Sequence, residues 1–455
     1  MDKDILFSIL DNAKNLYVIG IGGISMSGIA VFAREMGYEV SGSDRSESDL
    51  TARLRESGVR IYLSHAAEHV VGADAVVFTA AVGGDNPEMA YAAEHGIPTV
   101  SRAQFLGYIM CRYENKIGVS GTHGKSTTSS MLSHVFLEAG LDPTVALGAE
   151  LSEIGGAYRM GRGRDFIYES CEYKDSFLSF YPDIAVILNI DHDHVDYFLT
   201  MEHMTESFRQ SIRGAHTVIA LADDARVDSA LEGYTGRVIR FGMNEGCDFY
   251  PRELTYERGK ARFTVMAFGE AVCEVSLAVP GEHNVLDALA AAAAAFICGV
   301  GAEDIGRGLG NFVGARRRFE RKGSVRGIDV YDDYAHHPTE IRATLSGISK
   351  LGYRRVICVF QPHTYSRTAE LFDEFTASFG AVDEVVFLDI FSARETDTLG
   401  VSSSMLAEQV EGAKYFPSFD EAVEYLRSAS HAGDLILTMG AGDVYKIGER
   451  FLVTE

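Results

Sequence analysis

The chain has 455 residues, 46% of them hydrophobic and 23% charged, which is the balance of a globular protein with room for about two to four domains. A net charge of −24 argues against nucleic acid and anionic membranes as main partners, yet leaves anionic small molecules open, because a few cations reverse the field locally. Six cysteines (Cys111, Cys171, Cys247, Cys273, Cys298, Cys358) never form Cys-x-x-Cys and read as free thiols of a reducing cytoplasm.

The opening MDKDILFSILDNAKN is acidic and lacks the basic start of a secretory signal. From 15 to about 108, β-type runs at 16–19, 39–41 and 75–78 alternate with helical stretches at 26–36, 49–57 and 87–95. That alternation predicts a parallel sheet with crossover helices. Gly20-Ile-Gly22-Gly23 follows the first strand, Gly28 lies in the helix after it, and Ser43-Asp44 ends the second strand. Three readings stand side by side: a nucleotide diphosphate at Gly22 and Gly23, a nicotinamide dinucleotide with Asp44 on its ribose, or a purely structural turn. Ser25 stands where the dinucleotide fingerprint wants glycine.

A second glycine turn is more explicit. Residues 120–128 read SGTHGKSTT, after the apolar run 117–119 and before a helix-like stretch. Gly121 and Gly124 let backbone N–H groups approach phosphate oxygens, Lys125 reaches the β- and γ-phosphates, and the Ser126 hydroxyl suits Mg²⁺. Val119 replaces the first glycine of the commonest phosphate loop, which points toward an ATP-using ligase. Two phosphate turns in one chain favour the nucleotide-diphosphate reading of the first.

Further strands are predicted at 166–168, 184–189 and 217–221. Glu169 ends the first of these and is a candidate Mg²⁺ ligand at a strand's carboxyl end. Asn189-Ile-Asp191-His192-Asp193-His194 ends the second. Its alternating Asp and His invite zinc, but ATP chemistry wants oxygen ligands, leaving one imidazole for a second Mg²⁺. Residues 248–279 alternate in period two around Arg258-Gly259, predicting antiparallel hairpins. Pro280-Gly-Glu-His283-Asn284 opens the alanine-rich segment 285–300, too short to span a bilayer and expected as a packed internal helix. Arg316-Arg317-Arg318 gathers cations before a third alternation with strands at 328–331, 356–360, 384–388 and 435–438. Two successive strands there end in Asp332-Asp333-Tyr-Ala-His336-His337-Pro and Gln361-Pro-His363-Thr-Tyr-Ser-Arg367, delivering histidines to one edge.

Together these motifs resemble the Mur ligase family over essentially the whole chain, and the last two are similar to its L-alanine-adding branch. The resemblance implies an α/β, three-domain Mur ligase architecture: an N-terminal Rossmann-like domain (1–110) for a UDP-sugar, a central P-loop ATPase (111–315), and a C-terminal Rossmann-like domain (316–455) for the amino acid. It implies ATP contacts from Gly121, Thr122, His123, Gly124, Lys125, Ser126, Thr127, Asn284 and Asp333. Ser126 and Glu169 would share one Mg²⁺ and His194 a second, with Arg317 or Arg318 near the phosphates. Gly22, Gly23, Ser43, Asp44 and His65 match the uridine side, and His337, His363 and Arg367 the amino-acid end. The implied catalytic set is Lys125, Glu169, His194, Arg317 and His337, with His337 the candidate base on chemistry alone.

The implied activity joins L-alanine to the lactyl carboxylate of UDP-N-acetylmuramate through an acyl phosphate, in peptidoglycan precursor synthesis. A cytoplasmic monomer or weak homodimer is expected, with no nucleic acid and no membrane insertion. The alternative within the family attaches a whole tripeptide during wall recycling. Departures from the family pattern are Asp287 for a frequent Asn, Thr364 where some members carry Arg, and Glu169-Ser-Cys-Glu172-Tyr-Lys for Glu-x-Asp-Glu-Ser-Asp, which leaves Asp175 without a role.

Overall fold

Apolar runs bounded by turn residues build three sheet systems in the computed structural model, which describes residues 2–79, 82–194, 197–393 and 395–453. Val195 and Asp196, within the 189–197 motif, lie outside the described residues. Near the N-terminus, β1 (Asn15–Ile19), β2 (Glu39–Ser43), β3 (Arg60–Tyr62), β4 (Ala75–Phe78) and β5 (Thr99–Ser101) form a parallel sheet ordered β3-β2-β1-β4-β5. Leu16, Tyr17, Val18 and Ile19 are all buried, which is why β1 reads as an unbroken apolar run. Strand order reverses about β1, so the carboxyl ends of β1 and β4 flank the crevice that such sheets offer to ligands.

The next sheet contains β6 (Asn115–Ser120), β7 (Thr144–Leu151), β8 (Gly156–Arg159), β9 (Asp165–Glu169), β10 (Ile184–Ile187), β11 (Thr217–Leu221) and β12 (Arg237–Phe241). They run β12-β11-β10-β6-β9-β7-β8, parallel except for the β7–β8 hairpin. β6 lies between β10 and β9, so the segments that leave these three strands emerge at one edge. Helices Asp49–Glu56, Pro87–Glu94, Arg102–Met110 and Met201–Ser211 are capped by the side chains of Ser48, Asn86, Ser101 and Thr200. Helices Ile24–Glu35 and Lys125–Glu138, after the two glycine turns, begin at Gly23 and Gly124 with no side-chain cap. Their first N–H groups are thus left for an anion.

The expected hairpins form an antiparallel meander of β13 (Phe249–Glu257), β14 (Lys260–Ala267) and β15 (Glu270–Pro280). The last sheet holds β16 (Glu320–Val325), β17 (Ile328–Asp333), β18 (Arg355–Phe360), β19 (Glu384–Leu388), β20 (Lys414–Phe416) and β21 (Asp434–Met439), ordered β16-β17-β21-β18-β19-β20 and parallel apart from β16–β17. The alanine-rich stretch is a helix, Glu282–Ile297, whose alanines 288 and 290–295 are buried. All six cysteines are free thiols. Among the described residues no helix is long and apolar enough to cross a membrane. The chain divides into two compact units, Met1–Phe241 with Ala293–Gly301, and Gly242–Ala292 with Ala302–Glu455.

Candidate active site

The turn after β6 has the geometry of a phosphate cradle. Gly121 adopts φ +141° with Leu188 and Asn189 against its open side, 3.0 and 3.2 Å from where a Cβ would stand. Gly124 adopts φ +84°, a conformation that any other residue would hold under strain. The cradle is braced from β10's exit: Asn189 Oδ1 accepts from His123 N–H (2.8 Å), Asn189 Nδ2 donates to the His123 carbonyl (3.0 Å), and Asp191 N–H donates to Thr122 Oγ1 (2.7 Å). The His123 and Arg226 side chains flank Asp191; His123 first, against burial, holds that carboxyl well below the usual carboxylate range.

Lys125, the first residue of its helix, folds back onto the turn. Its ammonium donates to the carbonyls of Gly121 and Thr122 and to Glu172 Oε1 (3.0 Å). Burial opposes its charge, but Glu172, Cys171 and Glu169 outweigh that and raise its pKa above the ordinary lysine value. Glu172 is fully buried; burial pushes its carboxyl up, while Lys125 and then His194 bring it below its ordinary value. Glu172 Oε2 has no hydrogen-bond partner among the described residues. Beside this pair, Ser126 Oγ donates to Glu169 Oε2 (2.6 Å), which also accepts Gly148 N–H (3.1 Å). His194, at φ +54°, places Nε2 3.6 Å from Glu172 Oε1 and its ring 4.7 Å from that of Tyr173. Lys125, Ser126, Glu169 and His194 therefore come together in space. The Ser126 hydroxyl and the two carboxylates, one of them with the orphaned buried oxygen of Glu172, form a hard-donor set that fits Mg²⁺. Glu172 was missed by sequence reasoning, although a second carboxylate three residues beyond the strand end was a readable signal.

At the first glycine turn, Gly22 N–H donates to Asp44 Oδ2 (2.8 Å) and Arg45 N–H to Asp44 Oδ1 (2.7 Å). Asp44 thus holds the turn together, and Gly23 starts the uncapped helix. Ser43 and His65 both point to Glu88, a buried carboxylate that the motif reading did not single out.

Thr127 follows Ser126 in the first turn of the helix Lys125–Glu138, and the remaining predicted residues belong to the second compact unit. Arg317 Nε donates to Asp332 Oδ2 (3.0 Å) and Nη2 to the Gly440 carbonyl (2.6 Å), with the Tyr334 and Tyr445 rings each 4.9 Å from its guanidinium carbon. Its guanidinium is held by the fold's own acceptors, whereas Arg318 is the neighbour whose charge acts on Asp333. Asp333 accepts Phe319 and Ala335 N–H groups (2.8 Å each), and burial pushes its carboxyl up to about 6 against Arg318. His337 is buried and caps the helix Pro338–Ile348, its Nδ1 accepting Thr339 N–H at 3.3 Å. His363 and Arg367 meet at 3.3 Å, next to Phe391 stacked on the His363 ring. Asn284 Nδ2 donates to the Pro280 carbonyl (2.6 Å), and burial draws the adjacent His283 down to about 4 against the pull of Glu340.

Comparison with known proteins matches the chain along its length. Family models fit three consecutive stretches: the Mur ligase family catalytic domain over 15–114, the Mur ligase middle domain over 119–295, and the Mur ligase glutamate ligase domain over 317–442. The chain is 48% identical to the UDP-N-acetylmuramate–L-alanine ligase of Acetivibrio thermocellus, covering 98% of this chain and 97% of that relative. The crystal structure of UDP-N-acetylmuramate–alanine ligase from Thermotoga maritima superposes with a TM-score of 0.83 at 28% identity, over 97% of this chain and 98% of that one. A murein peptide ligase from Psychrobacter arcticus shares the fold, with a TM-score of 0.73 at 24% identity over 96% and 98%. With three domain models in order and a full-length relative at 48% identity, the chain belongs to the Mur ligase family of ATP-dependent ligases.

Proposed function

We propose that this chain ligates L-alanine to the lactyl carboxylate of UDP-N-acetylmuramate at the expense of ATP, in the cytoplasm, as a step of peptidoglycan precursor synthesis. One observation carries the reading: Lys125, Ser126, Glu169 and Glu172 converge on an uncapped helix start behind a glycine cradle. The choice of substrates rests on the likeness to full-length L-alanine ligases. The domain division at about 110 and 315 gives the UDP-sugar, ATP and amino acid one segment each.

A carboxylate does not condense with an amine in water, because its oxygen is a poor leaving group. Transfer of the γ-phosphoryl group to the lactyl carboxylate gives an acyl phosphate and ADP. Positioning and charge neutralisation dominate such a step. Lys125 leaves the Gly121 and Thr122 carbonyls for the β- and γ-phosphates, still paired with Glu172. Mg²⁺, held by Ser126 and Glu169 with a second ion at His194, supplies charge neutralisation when bound. The amine of L-alanine then attacks the acyl carbon, phosphate departs, and the amine proton passes to a base for which His337 is the candidate. Arg367 with His363 suits the alanine carboxylate. The test is phosphate release from ATP with UDP-N-acetylmuramate and, in turn, L-alanine, glycine, L-serine or the tripeptide. Release with L-alanine is expected; release with the tripeptide alone would overturn the assignment.

A further inference from the structure

The first sheet holds a polar cluster that this reaction scheme leaves unused. Glu88 sits in the first turn of the helix Pro87–Glu94 and is fully buried. No lysine or arginine pairs with it among the described residues. Three other donors converge on it instead: Tyr17 Oη on Oε1 at 2.6 Å, and Ser43 Oγ and His65 Nδ1 on Oε2, each at 2.8 Å. Burying a carboxylate without a fixed cation is costly, and an apolar residue would fill the same space more cheaply. The cluster points to a task beyond packing.

Ser43 decides where the histidine proton lies. Its hydroxyl proton goes to Glu88, so toward His65, 3.0 Å away, its oxygen can only accept. An ionised carboxylate also only accepts. Both contacts demand a proton on Nδ1 of His65, and together they fix the ring's orientation. Nε2 has no partner among the described residues, and the side chain is 18% exposed. The Ser43 carbonyl meanwhile accepts Gly20 and Ile21 N–H groups, at 2.8 and 3.0 Å, tying the histidine to the glycine turn. His69 is different: it stacks on Tyr62 at 3.9 Å and stays 3.8 Å from Glu88 Oε1, beyond hydrogen-bond reach.

We propose that Glu88 is a positioning residue of the nucleotide-sugar site, holding His65 through its Nδ1 proton so that Nε2 faces the uridine diphosphate moiety. The inference rests on the UDP-sugar reading above and deepens it. Ser43 then acts through Glu88 and His65 rather than by touching the ligand.

Glu88→Gln keeps the volume and removes the pure acceptor. The KM for UDP-N-acetylmuramate is expected to rise about tenfold or more, with kcat within about threefold of wild type. The KM for ATP should stay unchanged, and calorimetric affinity for UDP should fall in parallel. Because one group acts through the other, Glu88→Gln combined with His65→Ala should bind UDP no worse than His65→Ala alone. Additive losses, a matching rise in the KM for ATP, or wild-type UDP affinity in Glu88→Gln would each overturn the proposal. Should that variant not fold, nitrogen-15 spectra of the wild-type histidines decide: a proton on Nδ1 of His65 is expected, and a neutral ring protonated only at Nε2 refutes it. Wild-type protein that binds no UDP would sink the underlying UDP-sugar reading, a failure distinct from any result on the variant.

Discussion

Lys125 and Glu172 form an ion pair with a fully buried carboxylate and a lysine side chain 12% exposed, so the two members are unequal in what their loss exposes. Removing the lysine leaves a charged carboxylate with no ammonium beside it, a defect that typically costs about 3–5 kcal/mol, whereas replacing both members by apolar side chains is often near neutral. We expect Lys125→Met to lower the unfolding free energy by about 3 kcal/mol in urea titrations, and Lys125→Met with Glu172→Met to regain most of it. Lys125→Ala should abolish turnover while UDP-N-acetylmuramate still binds; loss of both together would argue against separate nucleotide sites. Asp333 and His283 titrate in opposite senses. Asp333 rises from 3.8 to about 6, so its share of stability is full below 3.8 and lost as pH climbs through 6. His283 falls from 6.5 to about 4, so its share is full above 6.5 and lost as pH drops through 4. At about 1.4 kcal/mol per pH unit each amounts to about 3 kcal/mol, and between pH 4 and 6 they largely offset. Asp333→Asn removes one slope. Its unfolding free energy should therefore gain about 3 kcal/mol more than wild type between pH 4 and 6.5, and a variant that tracks wild type across that window would refute the assignment.

Gly28 shows how an element can depend on one missing atom. It lies on the buried side of the helix Ile24–Glu35, and a Cβ there would come within 2.1 Å of the Tyr158 ring of β8. That ring also meets Phe32 of the same helix edge-on, with centroids 5.6 Å apart. Gly28→Ala is expected to lose about 1–3 kcal/mol by overpacking, read as a lower urea midpoint at unchanged slope, and Tyr158→Ala in the same chain should restore part of it. In the sequence Gly28 reads only as part of a phosphate-turn pattern, because the partner ring is 130 residues away. The same limit separates what was readable from what was not. Long apolar runs such as β1, β6 and β18, the hairpins around Arg258-Gly259, and the alanine helix all announce themselves through period and turn chemistry. β3, β5 and β20 are three residues each, too short for any period to register. At the candidate site, Lys125 and Ser126 were legible because they open the helix after a glycine turn, Glu169 because it ends β9, and His194 because it closes the Asp-His alternation after β10. Glu88 was not, because glutamate is ordinarily a surface residue and its complete burial is a tertiary property; Glu172 is readable by its place after β9, but its burial is not.

At the scale of the whole molecule, the division into two compact units gives the ligand sites an uneven address. The candidate uridine residues and the phosphate cradle with its carboxylates, from Gly22 to His194, all fall within Met1–Phe241, while the meander and the last sheet fall in the other unit. Multidomain chains need not unfold in one step, so heat should produce more than one transition. A ligand that binds only the native form of one unit stabilises that unit by mass action, about 2.7 kcal/mol at a hundred times its Kd. UDP-N-acetylmuramate alone, with no ATP or L-alanine present, should therefore raise a single calorimetric transition by several degrees. Hydrogen exchange should assign that transition to peptides within 2–241, with peptides of 302–453 unchanged. If every transition rises together and protection spreads evenly through both units, the two unfold as one cooperative block and the nucleotide-sugar is not the property of the first unit alone.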